Sequence, residues 1–363
     1  MKKMLILAGA AALAWPAVLL GQENDSTPRI TFGAFVDGYY AYDFGRPASH
    51  DRPFTTQAAR HDEFSLNLAH VEARYASPTV RGRVALQAGT SVQFNYAGEP
   101  DALAGTQPNY LPLVQEAMLG VSVAPNLWID AGIMLSHVGS ESWISIDNPT
   151  YTRSLAAEFS PYYETGVRAT WQPLPNLSAQ FNVVNGWQLI SENNEDKAVG
   201  VRIDWTPVVP LTLSYSNYIG REPLAATGEQ DVRVFHDLIA RWAPSGRALL
   251  IGTVDFGTQH ESEWLAASVV GRWWLTPAMG INGRIERFDD ERGVVSTTGM
   301  AVAPGLVTNG ASVGLDVQRG PAVWRTELRT FFGAEEAIFP DRDGDGGVAK
   351  TSTAVVTSLS VRF

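Results

Sequence analysis

The sequence predicts an all-β fold, a transmembrane antiparallel up-and-down β-barrel of about sixteen strands. Three observations predict it. Stretches of roughly 10 to 14 residues alternate apolar and polar side chains, the period of a strand with two unlike faces. Seven proline-bearing turns each carry an aromatic residue within three positions: Tyr75 before Pro78, Trp128 after Pro125, Trp171 before Pro173, Trp205 before Pro207, Trp242 before Pro244, Trp274 before Pro277 and Trp324 after Pro321. Amphipathic rings gather where hydrocarbon meets headgroups, so the turns mark one edge of a bilayer. Finally, no run of 18 or more apolar residues follows the N-terminal segment, which leaves a closed barrel as the only way through a membrane.

The chain opens with basic Met1-Lys2-Lys3 and apolar Met4 to Leu20, the form of a secretory signal peptide over 1–21 with cleavage after Gly21. Pro16 and the polar run Gln22-Glu23-Asn24-Asp25 argue against a retained anchor helix, so 22–363 is expected to be one outer-membrane barrel of a Gram-negative bacterium. No cysteine is present, as suits export through an oxidising periplasm. The formal charge is −11, and −13 without Lys2 and Lys3, which argues against nucleic acid as a partner. Only Lys197 and Lys350 remain as lysines beyond the signal, so arginine carries nearly all the positive charge. A guanidinium keeps its proton in any environment and forks onto carboxylates, which suits charge ladders on a water-facing wall.

Sixteen stretches carry the alternation: 30–44, 62–76, 81–94, 113–123, 127–137, 161–171, 177–186, 196–206, 210–220, 231–243, 247–258, 262–275, 278–289, 305–317, 322–333 and 351–363. Seven turns and eight mostly longer loops join them, and the even count returns both termini to the short-turn side. In the second stretch, Phe64, Leu66 and Leu68 share parity with His70, Glu72 and Arg74, so a β-bulge near Ala69 is expected to restore Val71, Ala73 and Tyr75 to lipid. Glu164 and Arg168 alternate with Val167 and Ala169. Arg202 and Asp204 alternate with Val201, Ile203 and Trp205. Arg284 and Glu286 oppose Ile281 and Ile285, and Arg325, Glu327 and Arg329 oppose Trp324, Leu328 and Phe332, which makes all these charged residues candidates for the pore wall. The last stretch points Val355, Thr357, Leu359, Val361 and Phe363 one way. It ends on that phenylalanine and resembles the signal by which outer-membrane proteins reach the barrel assembly machinery. Glycines such as Gly82, Gly89, Gly120, Gly132, Gly252, Gly271 and Gly314 fall inside strands, where they mark bends or close approach.

Sixteen strands enclose an aqueous channel that an inserted loop can narrow. The third long loop, 138–160, carries Glu141, Trp143, Asp147, Tyr151, Arg153 and Glu158, and loops of this length in a compact protein are functional or disordered. It is expected to enter the lumen and set Glu141, Asp147 and Glu158, with Arg153, opposite wall arginines such as Arg168, Arg202, Arg284, Arg325 and Arg329. Such a transverse field would pass small polar solutes or ions. A loop packed outward as a lid is the alternative. Trp143, Tyr151 and Tyr162 would supply a stacking surface if the channel were selective for sugars.

Two blocks of sequence resemble a known family. The opening block comprises Gly33-Ala34-Phe35-Val36-Asp37-Gly38-Tyr39-Tyr40-Ala41-Tyr42-Asp43-Phe44, Phe64-Ser65-Leu66-Asn67-Leu68-Ala69 and Glu116-Ala117. The central block runs through Gly132-Ile133-Met134, Gly139-Ser140-Glu141, Tyr151-Thr152-Arg153-Ser154, Ser160 to Arg168 and Asn185-Gly186-Trp187. Together they resemble the OmpL-like putative β-barrel porin-2 family. That resemblance implies a porin, an outer-membrane barrel in contact with lipid and lipopolysaccharide, and it supplies neither substrate nor catalytic residues.

Other chemistry is thin. Asp341, Asp343 and Asp345 begin a calcium-loop pattern, but Ser352 stands where the closing glutamate belongs, so no metal or other cofactor is expected. His137 precedes Glu141 by four residues and His236 adjoins Asp237, the one opening for a membrane-embedded hydrolase; no nucleophile spacing accompanies them. The expected function is passive diffusion of small hydrophilic solutes, with weak preference for cations and a homotrimer as one permitted assembly.

Overall fold

The computed structural model describes residues 28–100, 110–224, 227–296, 305–341 and 347–363. The signal segment 1–21, Asp343 and Asp345 lie outside them. Sixteen antiparallel strands close into a barrel: β1 (Arg29–Asp43), β2 (Phe64–Ala76), β3 (Val80–Ala88), β4 (Val114–Ala124), β5 (Leu127–Leu135), β6 (Tyr163–Leu174), β7 (Leu177–Val184), β8 (Ala198–Val208), β9 (Leu211–Pro223), β10 (Gln230–Ser245), β11 (Ala248–Gln259), β12 (Ser262–Trp274), β13 (Met279–Asp290), β14 (Leu306–Arg319), β15 (Ala322–Phe332) and β18 (Ser352–Arg362). A two-residue ribbon, β16 (Phe339–Pro340) with β17 (Val348–Ala349), lies in the last loop.

Closure depends on β18, which pairs with β15 on one side and with β1 on the other, from Phe35 opposite Arg362 to Asp43 opposite Ala354. The Phe363 N–H donates to the Ala34 carbonyl at 2.8 Å, extending the seam to the last residue. In hydrocarbon an unpaired backbone group costs several kcal/mol, so the seam removes an edge the bilayer would penalise.

Alternation sorts the side chains as the sequence predicts. Val167, Phe181, Ile203, Leu238, Val254, Val269, Ile285, Val313, Leu328 and Leu359 are exposed outward. The intervening Glu164, Arg202, Asp237, Asp255, Arg284, Glu286, Arg325, Glu327 and Arg329 face inward and are buried.

Three local expectations need correction. The bulge falls on Asn67: Asp37 pairs with Leu68 and Gly38 with Leu66, because Asn67 turns inward to donate to Asp37 Oδ2 at 2.9 Å. The third strand stops at Ala88, not residue 94. Gly89, at φ +140, sits where a side chain would strike the Asn67 backbone, and the chain then winds into a short helix α1 (Thr90–Asn95). Of the seven turn aromatics, Trp128 and Trp274 face the lumen: Trp128 lies under the Arg81 guanidinium at 4.6 Å, and Trp274 has the inward parity of Arg272. Trp273 takes the outward place beside Tyr75, Trp171, Trp205, Trp242 and Trp324. The sixth loop is also short, only residues 260 and 261.

The outward assignment predicts that Val254→Arg destabilises the folded barrel by about 2–4 kcal/mol in lipid titrated with urea, the cost of a cation near mid-bilayer. The girdle predicts that brominated lipid quenches Trp273 and spares Trp128, so Trp273→Phe lowers the quenched fraction while Trp128→Phe raises it.

Candidate functional site

The third loop, L3 (136–162), enters the barrel and is bonded to its inner wall. Its base is closed by the Ser136 N–H donating to the Tyr162 carbonyl at 3.0 Å. His137 is fully enclosed, with Nδ1 2.9 Å from Glu164 Oε2 and Nε2 2.7 Å from the Asn217 carbonyl oxygen. Gly200 makes room for it: a side chain there would strike the imidazole. Arg202 Nη1 donates to the His137 carbonyl at 2.9 Å, the Gly139 N–H donates to Asp237 Oδ2 at 2.9 Å, and Thr253 donates to Ser140 Oγ at 2.7 Å. These contacts lay the root of the loop along β8 to β11.

The middle of L3 is held by the far wall. Arg272 grips the carbonyls of Asn148 and Pro149, and Arg325 Nη1 donates to the Ser145 carbonyl at 2.8 Å. Arg284 Nη1 donates to the Thr152 carbonyl at 2.7 Å. Wall carboxylates take the loop's N–H groups in turn: Glu327 accepts from Thr152 N at 2.8 Å and Thr152 Oγ1 at 2.7 Å, and Glu286 accepts from Leu155 N at 2.6 Å. The wall charges also neutralise one another, Arg329 and Arg284 on Glu286 at 2.8 and 3.2 Å and Arg272 on Asp316 at 3.1 Å. Asp37 gathers four donors, Asn67 at 2.9 Å, Ser145 at 2.7 Å, Tyr151 at 3.2 Å and Ser360 at 3.1 Å, so the first strand, the last strand and L3 meet on one carboxylate.

The predicted site residues are therefore brought together, though seldom as expected. Glu141 does not face open water: its carboxylate caps the Ser154 N–H at 3.1 Å, burial pushes its pKa up, and Arg284 acts against that rise. Asp147 pairs with Arg362, through two bonds of 2.8 and 2.7 Å, rather than with an expected arginine. Glu158 is bound by the first loop, from Thr56 N at 3.0 Å and Thr56 Oγ1 at 2.5 Å. Arg153 is fully buried, its guanidinium 4.1 Å from the Tyr162 ring and 5.1 Å from that of Trp143. Trp143 and Tyr162 are buried against each other, Tyr151 is buried against Tyr39, Ala41 and Val356 of the wall, and none presents a ring to a sugar. Arg168 donates to the Leu135 carbonyl at 2.8 Å and to Asn182 at 2.7 Å. His137 binds Glu164 and not Glu141, while His236 stacks outward on Phe256 as Asp237 faces inward. The Asp341 N–H donates to the Gly347 carbonyl, and no three or more histidine, cysteine, aspartate or glutamate side chains converge to hold a metal among the described residues.

Water-accessible charge lies elsewhere, on the arc from β2 to β4 and on β18. Arg74 and Arg362 are about half exposed, at 53 % and 45 %, and Arg81 and Arg83 remain partly so. Their partners Glu72, Glu116 and Asp130 are the more buried members of each pair. From sequence, none of these residues stands out as a site, nor do Asp37, Asp255, Arg272 or Asp316, and Asp237 stands out only beside His236. All occupy inward parity on their strands, the one signal that could have found them.

The fold matches known channels. The outer membrane channel DcaP of Acinetobacter baumannii superposes with a TM-score of 0.61 at 12% identity, over 93% of this chain and 98% of that one. An anion-selective porin from Comamonas acidovorans gives 0.58 at 10%, over 93% and 100%. OmpT of Vibrio cholerae, in a trimer form, gives 0.56 at 10%, over 93% and 100%. No curated protein matches the sequence. The family described as putative beta-barrel porin-2, OmpL-like matches residues 29–363, which span all sixteen barrel strands, and this chain belongs to it.

Proposed function

We propose that the barrel is a diffusion porin whose passage runs beside L3, along the arc of β2 to β4. The observation that carries this reading is the one-sided bonding of the loop. L3 is fastened to β1, to β8 through β13, and to β15 and β18, whereas Arg74 is about half exposed and Arg81 and Arg83 partly so. Small hydrophilic solutes and ions then pass a lining in which the exposed charge is mostly guanidinium. Anions are favoured over the cations that net charge alone suggests. A sugar-selective channel loses its basis with the burial of Trp143, Tyr151 and Tyr162. The remaining assignments extend the same reading: export by a signal peptide cleaved after Gly21, folding by the barrel assembly machinery through Phe363, an annulus of lipid and lipopolysaccharide, and a homotrimer.

Planar-bilayer recording tests it. Wild-type barrels are expected to conduct with a reversal potential favouring anions, and Arg74→Gln with Arg83→Gln should shift that potential toward cations while Glu141→Gln leaves it nearly unchanged. Silent membranes from correctly folded barrels would overturn the reading, and concentration-dependent block by one sugar would replace it with a selective channel. Glu327→Ala strips Thr152 of its acceptor and leaves Arg284 short of a partner, so it should cost about 3–5 kcal/mol of stability, as breaking a buried charge pair does, and make the open current noisy as L3 loosens.

A further inference from the structure

Many buried carboxylates on the inner wall have a cation beside them: Glu286 and Glu327 have Arg284, Asp316 has Arg272, Asp130 has Arg81, and Glu164 has His137; others, Asp37, Glu222 and Asp290, stand singly and are held by neutral donors. Asp237 and Asp255 differ from both groups, being two carboxylates set against each other. They stand directly opposite each other on β10 and β11, both face inward, and they are 0% and 3% exposed. Neither forms an ion pair with a described residue, and the strand register sets their carboxyl groups side by side. Asp237 Oδ2 is satisfied by Ser216 Oγ and Gly139 N, each at 2.9 Å. Asp237 Oδ1 and Asp255 Oδ1 have no hydrogen-bond partner, nor does the buried Ser268 hydroxyl on β12, which lies in the next inward row, opposite Thr253. Glu141 adds a further negative charge nearby, and Arg202, two strands away in the same inward row, is turned to Asp204 and the His137 carbonyl.

Two like charges this close in a dry site cannot both remain ionised without something positive between them. We propose that Asp237 and Asp255, with the hydroxyls of Ser216, Thr253 and Ser268 around them, form a cation site of calcium class, occluded behind the root of L3. All the donors are oxygen, and no histidine or cysteine takes part, which selects a hard cation. The irregular mix of carboxylate and hydroxyl suits calcium better than magnesium, which demands a near-ideal octahedron and gives up water reluctantly. With two carboxylates rather than three, affinity is expected at roughly 10⁻⁴ to 10⁻³ M, the range of extracellular modules. Because L3 reaches the site through the Gly139 N–H on Asp237 and Ser140 on Thr253, a bound ion fastens the loop root to the wall. The inference does not depend on what the channel passes.

Calcium binding to the refolded, EDTA-stripped barrel in detergent tests it without any conductance measurement. Titration calorimetry should find one calcium per barrel in the wild type, accompanied by a rise in Tm. In Asp255→Asn the affinity should fall at least about tenfold, as losing a ligand costs no less than losing a supporting contact. Asp237→Asn serves as a second variant, and heat-modifiable electrophoretic migration verifies that each folds. Absence of wild-type binding, together with an infrared band of a protonated carboxyl that disappears in Asp255→Asn, would show that the pair shares a proton and would overturn the proposal. Equal calcium affinity in wild type and both variants would also overturn it, by moving the ion elsewhere.

Discussion

A bilayer core offers no water to a peptide group, and every other feature of this protein follows from that constraint. Backbone donors and acceptors must be used up within the sheet, so the chain closes β18 onto β1 and leaves no edge. Closure fixes which side chains meet lipid and which meet the lumen, because neighbours on a strand point oppositely. The interior then becomes the one place near mid-membrane where charge can be stored, and buried charge accumulates there on β12 to β15.

That stored charge handles a second backbone problem. L3 is irregular chain held at membrane depth, tolerable only where protein supplies its hydrogen bonds. Arginines do so by forking: Arg284, Arg272 and Arg325 each reach more than one loop oxygen. Lysine, a compact and strongly hydrated point charge, could not span those acceptors as well. Each guanidinium is desolvated in return, and wall carboxylates such as Glu286 and Asp316 offset that loss. Charges that looked like a field across open water are thus largely the cement between loop and wall.

The barrel was legible in the sequence because its signals are local. Period-two alternation placed all sixteen strands, with ends displaced by a few residues, and the family resemblance rested on blocks such as Gly33 to Phe44 that lie in β1 and its neighbours. What the sequence hid was partner choice. Parity places Asp147 in a loop and Arg362 on an inward position, but nothing within either segment says that they meet across 215 residues. Burial was hidden for the same reason: Trp143 and Arg153 read as loop residues open to solutes until the loop is seen folded around them. Trp128 and Trp274 depart from the girdle because nearness to a turn does not fix the face, and parity with Asp130 and Arg272 decides it.

The Asp37 carboxylate gives the molecule an order of assembly. Its donors come from β2, 30 residues away, from L3, 108 and 114 residues away, and from β18, 323 residues away. Loop-closure entropy must be overcome before such distant contacts add stability, so Asn67 can engage early and Ser360 only when the terminal strand arrives. Ser145 and Tyr151 share the acceptor with Ser360, and Arg325 and Glu327 on the penultimate barrel strand hold the same stretch of loop. L3 therefore acquires its last anchors as the cylinder is sealed, and a nascent chain gains its finished interior only with its final residues.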